Sequence, residues 1–295
     1  MTRDEFKKLV EEKTLILDGG TGSFFIAHGM PQGVSPEAWI LENPDVLMEL
    51  QGGYADAGSD IVLAPTFGAN RQRLKGTGND KNIEKINKGC VELSRKATGG
   101  KTLVAADISM TGLTIFSEDI DDGETLEEGI EIYKEQAQLL IDAGVDLFDV
   151  ETMISLEDAR AAVRGIRAVS EDIPIMVTMT FESNQRTLYG NTPEDVVEEL
   201  EAEGIDAIGA NCSSGPDNMK VIIERMAACT KLPLIAKPNA GLPSTGPDGK
   251  VTYSLGAEAF AEEMQQLTAA GARIVGGCCG TEPSYIKALA EKVRG

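Results

Sequence analysis

The sequence predicts an α/β protein, a (β/α)8 TIM barrel forming a single domain over residues 1–295. Three observations carry this. Eight short apolar runs recur along the chain, helix-patterned segments separate them, and no linker or low-complexity tract divides the 295 residues. Short runs rich in Ile, Val and Leu suit strands buried on both faces, as in a parallel sheet. A doubly wound open sheet is the other arrangement of the same alternation.

The runs are Thr14–Leu17, Ile61–Ala64, Thr102–Ala106, Leu147–Val150, Ile175–Met179, Ala207–Ala210, Leu234–Ala236 and Arg273–Gly276. Between them, residues 125–143 place Ile130, Tyr133, Ala137, Leu140 and Ile141 on one helical face, and Thr125 with Glu128 has the spacing of a capping box. Ser155 with Asp158 opens another helix, and Thr192-Pro193 a third, since proline favours the first helical position. Gly58, Gly144, Gly204 and Gly271 stand just ahead of strands, where a helix needs its stop.

Composition narrows the function. Apolar residues make up 42% and charged residues 25%, enough to bury a core and to exclude a disordered chain. Asp and Glu outnumber Lys and Arg by 48 to 27, a net charge of −21. That surface repels phosphate backbones and anionic lipid, so neither nucleic acid nor membrane is an expected partner. The N-terminus has no apolar signal core, and no run reaches the roughly 18 apolar residues of a membrane span. A cytoplasmic protein with reduced thiols is expected. Five cysteines are not a disulfide framework.

In a barrel the chemistry gathers at the C-terminal ends of the strands. Asp18-Gly19-Gly20-Thr21-Gly22 follows the first run, Pro65-Thr66-Phe67-Gly68 the second and Asp107-Ile108-Ser109 the third. Glu151-Thr152 follows the fourth and Thr180-Phe181-Glu182 the fifth. Asn211-Cys212, Lys237-Pro238-Asn239 and Gly276-Gly277-Cys278-Cys279-Gly280 follow the sixth, seventh and eighth. Strands six and eight flank strand seven, so Cys212 can approach Cys278 and Cys279. Three thiolates with an open fourth position make a catalytic zinc arrangement. Three small buried thiols are the other reading. Cys90 and Cys229 fall in helical segments, where core packing is expected. His28, the single histidine, sits in a loop and is expected to be solvated.

The glycine-rich turn at Asp18 fits neither a dinucleotide nor a Walker loop. Its backbone N–H groups can still hold a small carboxylate. Glu151 and Asp18 each have two readings: a partner for a buried cation of the protein, or a seat for a substrate ammonium. A mouth with anion-binding amides and two carboxylates suits an amino acid.

Leu17-Asp-Gly-Gly20, Pro65-Thr-Phe-Gly68, Glu151-Thr152, Gly209-Ala-Asn-Cys-Ser-Ser-Gly-Pro216, Lys237-Pro-Asn-Ala-Gly241 and Gly276-Gly-Cys-Cys-Gly-Thr281 together resemble the homocysteine S-methyltransferase family over about residues 15–290. Within it, Thr66-Phe-Gly-Ala-Asn70, Met179-Thr-Phe181, Asn211-Cys-Ser-Ser-Gly-Pro216 and Pro238-Asn-Ala-Gly241 look most like the homocysteine-binding module of cobalamin-dependent methionine synthase. One departure is Asp107-Ile-Ser-Met-Thr-Gly112, where that synthase has Gly-Pro in place of Ser109-Met110. The synthase carries folate and cobalamin modules in the same chain, whereas this sequence stops at Gly295. A separate donor is therefore expected, a methylated corrinoid protein or methylcobalamin.

The resemblance implies one zinc per chain, held by Cys212, Cys278 and Cys279. Asn239 lies near the metal and supplies an oxygen to the open site before substrate binds. It implies that zinc activates the thiol of L-homocysteine, and that the methylated product is methionine. Glu151 and Asp18, the candidate catalytic residues, hold the substrate ammonium. Amides around Gly19, Gly20 and Thr21 hold its carboxylate, while Thr66 and Asn211 complete the substrate pocket. S-methylmethionine or betaine as donor, another thiol as acceptor, and a non-catalytic homocysteine- or zinc-binding subunit remain open. Aromatic residues make up only 5%, with one Trp, and those of a betaine cage cannot be located in the sequence.

Overall fold

The structure is a computed structural model that describes residues 1–295 except 114, 117–123, 214 and 247–250. Ser214 of the sixth-strand motif thus lies outside the described residues. Each of the eight apolar runs contributes one strand. These are β1 (Leu15–Ile16), β2 (Ile61–Ala64), β3 (Leu103–Ile108), β4 (Leu147–Met153), β5 (Ile175–Met179), β6 (Ala207–Asn211), β7 (Leu234–Lys237) and β8 (Ala272–Val275). They form one parallel sheet in the order β1-β8-β7-β6-β5-β4-β3-β2. The first and last strands are neighbours, with Leu15 opposite Ile274. A doubly wound open sheet instead places its first strand in the interior of the order. The architecture is a nearly closed barrel.

The seam between β1 and β2 is closed without a regular ladder. The Asp60 N–H donates to the Ile16 carbonyl at 2.7 Å, and the Ser59 hydroxyl to the Leu17 carbonyl at 3.3 Å. Between these strands the Leu63 N–H donates to Asp18 Oδ2 at 2.8 Å. A side chain thus replaces the backbone acceptor that strand β1 is too short to offer.

Side chains alternate across a strand, so every second residue points into the barrel. The lower interior layer is apolar, built from Leu15, Ile61, Ala105, Leu147, Met176, Ala207, Ile235 and Ile274. Phe6 and Val10 of the helix Arg3–Glu12 cap it from below. Arg3 pins that helix to Asp206 at 2.7 Å. Toward the C-terminal ends of β3, β4, β5 and β7 the interior turns polar, while Leu17 and Leu63 keep it apolar at β1 and β2. Asp107, Asp149, Glu151, Thr178 and Lys237 occupy that upper layer, all buried.

The outer faces pack on helices whose starts follow the capping chemistry. Thr125 and Glu128 form a capping box on Leu126–Asp142. Ser155 accepts the Asp158 N–H ahead of Leu156–Val169, and Thr192 caps Pro193–Ala202. Helix Pro44–Ala57 stops at Gly58, whose φ of +103° is strained for any other residue. Cys90 is buried as expected. Cys229 is not. Helix Pro216–Ala227 ends before it, Met226 takes the inward position, and Cys229 is exposed in the following turn. Among the described residues, no helix is long and apolar enough to cross a membrane.

Candidate active site

A cavity of about 380 Å³ opens over the C-terminal ends of the strands. The loop Gly19–Ser23, Phe67, Arg73, Asp107, Glu151, Lys237 and the three strand-end cysteines all line it. The position follows from the fold, since these loops and strand ends are what a barrel presents at that face.

The sulfurs of Cys212, Cys278 and Cys279 all lie within 4.8 Å of one another. Three Zn–S bonds of about 2.3 Å in a tetrahedral arrangement hold sulfurs about 3.8 Å apart, so the cluster is sized for such an ion. Its backbone is held firmly. The Cys212 N–H donates to the Lys237 carbonyl at 3.1 Å, and the Cys278 N–H to the Pro238 carbonyl at 2.9 Å. Cys212, Ser213 and Thr152 have φ of +61°, +60° and +60°. Residues with a Cβ occupy that region only where the surroundings force them, at a cost of about 1–3 kcal/mol each. Asn211 supplies this constraint at Thr152. Its Oδ1 accepts the Thr152 N–H at 3.0 Å and the Thr178 hydroxyl at 3.1 Å, and its Nδ2 donates to Thr152 Oγ1 at 2.7 Å.

The sulfurs titrate as a set. Hydrogen bonds from Cys278, then from Cys279, pull Cys212 down to about 3. The same contacts push Cys278 well above and Cys279 up to about 11. The protein therefore favours a thiolate at Cys212, the form that binds a metal. A fourth group leans on the cluster. Tyr253, in the antiparallel pair Pro243–Thr245 and Val251–Tyr253, hydrogen-bonds the Cys279 sulfur, and its own hydroxyl is raised to about 12 by burial first and by the cysteine charge next. Its ring lies against Gly280, where an added Cβ would sit 2.2 Å from the ring. A soft, three-sulfur donor set with an open side toward a cavity fits zinc.

Beside the sulfurs lies a buried charge cluster. Lys237 Nζ is 3.3 Å from Asp149 Oδ2 and also pairs with Glu151 Oε2. Among the described residues Lys237 is the only buried Lys or Arg. Asp18 and Asp107 also feel its charge. Four carboxyls thus face one ammonium. Burial pushes Asp18 up to about 7 and Asp149 up to about 6, against the pull of Lys237. Burial, then the charge of Glu151, pushes Asp107 well above the usual carboxylate range.

The structure sorts the expected site residues. Cys212, Cys278, Cys279, Glu151, Gly19, Gly20 and Thr21 all line the cavity. The Gly20 N–H is already used by Thr281, whose carbonyl lies 3.0 Å away. Glu151 does take a buried cation of the protein, Lys237. Asp18 does not reach the cavity: it is fully buried, and its carboxylate closes the β1–β2 seam. Thr66 is equally buried, its hydroxyl donating to the Asp107 carbonyl at 2.8 Å and accepting the Asp107 N–H at 3.1 Å. Asn211 clamps Thr152, as above, and its donor and acceptor atoms face protein groups. Asn239 stands by the cluster, but its Oδ1 accepts the Cys279 N–H at 3.1 Å and its side chain hydrogen-bonds the Cys212 sulfur. That geometry ties Asn239 to the backbone and sulfur of two of the cysteines. Lys237, Asp149, Asp107, Tyr253 and Thr152 were not singled out as site residues from sequence. Period-two counting from Leu147 and Ile235 finds Asp149 and Lys237, but no local signal marks Tyr253. His28 is exposed, stacked on Phe24 at 3.9 Å between ring centroids.

A family model described as homocysteine S-methyltransferase matches residues 15–293. Among solved structures, the metallated form of the homocysteine methyltransferase MmuM from Escherichia coli is 26% identical, with a TM-score of 0.79 over 98% of this chain and 99% of that one. Its oxidized form is 25% identical, with a TM-score of 0.76 over 94% and 95%. The carboxyl transferase domain of Rhizobium etli pyruvate carboxylase is 14% identical, with a TM-score of 0.54 over 99% of this chain and 49% of that one, a likeness of fold alone.

Proposed function

The chain belongs to the homocysteine S-methyltransferase family, and we propose that it methylates the thiol of L-homocysteine to give methionine, with zinc at Cys212, Cys278 and Cys279 and a separate methylated corrinoid as donor. The convergence of three strand-end sulfurs at the edge of an amino-acid-sized cavity carries this reading. The metallated form of the Escherichia coli relative supports a metal at the cluster.

Zinc bound there supplies a Lewis acid that keeps a substrate thiol, normally protonated at neutral pH with a pKa of about 8.5, in its nucleophilic form. The chain's own residues do the rest. Glu151, at the cavity wall, offers a carboxylate to the substrate ammonium while its Oε2 stays on Lys237. With the Gly20 N–H already bonded, the amides of Gly19 and Thr21 face the substrate carboxylate. Asn239 and Tyr253 stabilise thiolate on Cys212 and Cys279 through hydrogen bonds. No protein nucleophile or general base is needed, in keeping with the exposed position of the single histidine.

The donor assignment draws on the rim. Seven large apolar side chains are exposed among the described residues, and six of them (Ile26, Val34, Leu188, Tyr189, Leu242 and Val251) lie on segments that follow β1, β5 and β7 at the cavity face. Apolar side chains gathered on one face suit docking of a large partner. Competition at equal concentrations of methylcobalamin, S-methylmethionine and betaine tests the donor. Methionine forming fastest from methylcobalamin is expected. Faster turnover with either small cation overturns the corrinoid assignment. Absence of methyl transfer from any donor favours a binding subunit.

A further inference from the structure

We propose that Arg73 seats an anionic group of the methyl donor, a carboxylate or a phosphate, on the cavity wall that follows β2. The proposal rests on the reading of this cavity as a site of methyl transfer to a thiol, and adds a residue that selects the donor.

The chain has eleven arginines. Eight of them pair with carboxylates. Arg186 and Arg273 donate to the Gly190 and Val10 carbonyls at 2.6 and 2.8 Å. Arg73 alone has no acceptor for its guanidinium among the described residues, and it alone lines the cavity. In a chain where acids outnumber bases by 48 to 27, an arginine without an acid is the exception.

The local structure keeps that guanidinium in place. Arg73 lies in the helix Arg71–Gly76, just after the β2 loop. Its guanidinium carbon stands 5.5 Å from the centroid of the Phe67 ring, which lines the same cavity. An arginine held over an aromatic face keeps its N–H groups available at the edge of its plane. Gly68 leaves the room, since a Cβ there would lie 3.1 Å from Arg73 Nε and 2.7 Å from Glu37 Oε1. Glu37, an acid of that wall, is already engaged: its Oε1 accepts the Gly68 N–H at 2.6 Å and its Oε2 the Ser35 hydroxyl at 2.5 Å. The other cation of the cavity wall, Lys237, is held between Asp149 and Glu151. Arg73 is therefore the uncommitted positive group of the cavity.

A guanidinium fork matches the oxygens of a carboxylate or a phosphate. The acceptor amino acid has its own anchors, the sulfurs after β6 and β8 and the amides of Gly19 and Thr21, so Arg73 is left for the second reactant. Phe25, Val34 and Leu74 line the cavity with it and give that reactant an apolar wall with one positive end. Arg73 takes no part in the bond changes. The methyl group passes to the substrate sulfur, and the electron pair of the broken bond stays on the sulfur or cobalt of the donor.

The test is steady-state kinetics on zinc-loaded protein at saturating L-homocysteine, with two donor pairs. Methylcobalamin is set against methylcobinamide, which lacks the nucleotide phosphate. S-methylmethionine is set against its decarboxylated analogue, 3-(dimethylsulfonio)propylamine. In the pair that wild type uses, the anionic member is expected to be preferred. Arg73→Gln should lower kcat/KM for that member by at least about tenfold, chiefly through KM, and leave its partner within about twofold. Arg73→Lys should fall between Arg73→Gln and wild type. The KM for homocysteine should stay within about twofold, and the pair that responds identifies the source of the anion. Equal loss for both members, no loss for either, a wild type that does not discriminate, or a raised KM for homocysteine would each overturn the proposal. A variant that fails to fold does so too, because the guanidinium bonds no protein group. A wild type that turns over neither pair instead removes the methyl-transfer reading on which the proposal stands.

Discussion

Replacing Lys237 by methionine removes the only buried cation among the described residues and keeps most of the side-chain volume. Asp149 and Glu151 lose a direct partner, and Asp18 and Asp107 lose the charge that draws them toward ionisation. Breaking one side of a buried ion pair costs about 3–5 kcal/mol. At about 2–4 °C per kcal/mol for a domain approaching this size, the melting temperature should fall by roughly 6–20 °C near neutral pH.

The pH dependence separates this cause from simple mispacking. Burial raises Asp18 from 3.8 to about 7 and Asp149 from 3.8 to about 6. For acids raised on folding, the stability they contribute is complete below about 3.8 and is lost as pH rises through about 6 and 7. Asp18 alone accounts for about 4 kcal/mol across that window, to order of magnitude. Without Lys237 the folded carboxyls hold their protons to still higher pH. The gap between variant and wild type should therefore be small at pH 5 and widest at pH 8. Thermal melts at pH 5, 6.5 and 8, with zinc content matched, measure it. A loss equal at all three pH values, or a variant within 2 °C of wild type at pH 8 (a margin of about 1 kcal/mol), refutes the charge-balance argument.

Other outcomes follow from the same geometry. Purified protein should carry about one zinc per chain; Cys279→Ala should abolish it while Cys90→Ala and Cys229→Ala keep it, by metal analysis, and full retention in Cys279→Ala removes the three-sulfur site. Tyr253→Phe should keep the fold but hold zinc up to about tenfold less tightly against a chromophoric chelator, with release on acidification beginning at higher pH, because the Cys279 thiolate loses a hydrogen bond. Gly209→Ala should yield little folded protein, since the new Cβ would lie 1.9 Å from the Ile235 carbonyl oxygen on the adjacent strand, and backbone cannot step aside. Gly76→Ala, with nothing within 4 Å, should be neutral or stabilising by up to about 1 kcal/mol, so equal melting of the two variants contradicts the packing account.

The strands were legible because burial on both faces leaves a run of β-branched and aliphatic residues that no other element needs. The helix starts were legible because Thr125, Ser155 and Thr192 perform a local chemical task, accepting an N–H three residues on. The cysteines were legible because thiols at two strand ends on either side of a third are brought together by barrel order alone. Asp18 stays open to two readings for a physical reason. A carboxylate at a strand end serves equally well as a substrate ligand or as an acceptor for an unpaired strand N–H, and the shortness of β1 adds the second role at Oδ2. Tyr253 was illegible because the strand pair that presents it is short and exposed, with no core face to impose a pattern.

Asp149 is the member of the charge cluster hidden in the sequence, because it is written into the run Leu147–Val150 itself. Leu147, Asp149 and Glu151 follow one another on the inner face of β4, as Ile235 and Lys237 do on β7. Scanned as continuous runs, these segments register as apolar, and Asp149 passes as an interruption. Read at period two, the inner face changes from aliphatic to charged within one step along the barrel axis. The aliphatic layer is what makes that step tolerable. Helix Arg3–Glu12 seals the base, so the dry, packed lower barrel holds the strands rigid beneath residues that individually destabilise the fold: three left-handed backbone positions at Thr152, Cys212 and Ser213, and a set of carboxyls short of cations. The places where the sequence breaks the rules of a buried strand therefore gather at the C-terminal end of the barrel, around the three cysteines and Lys237.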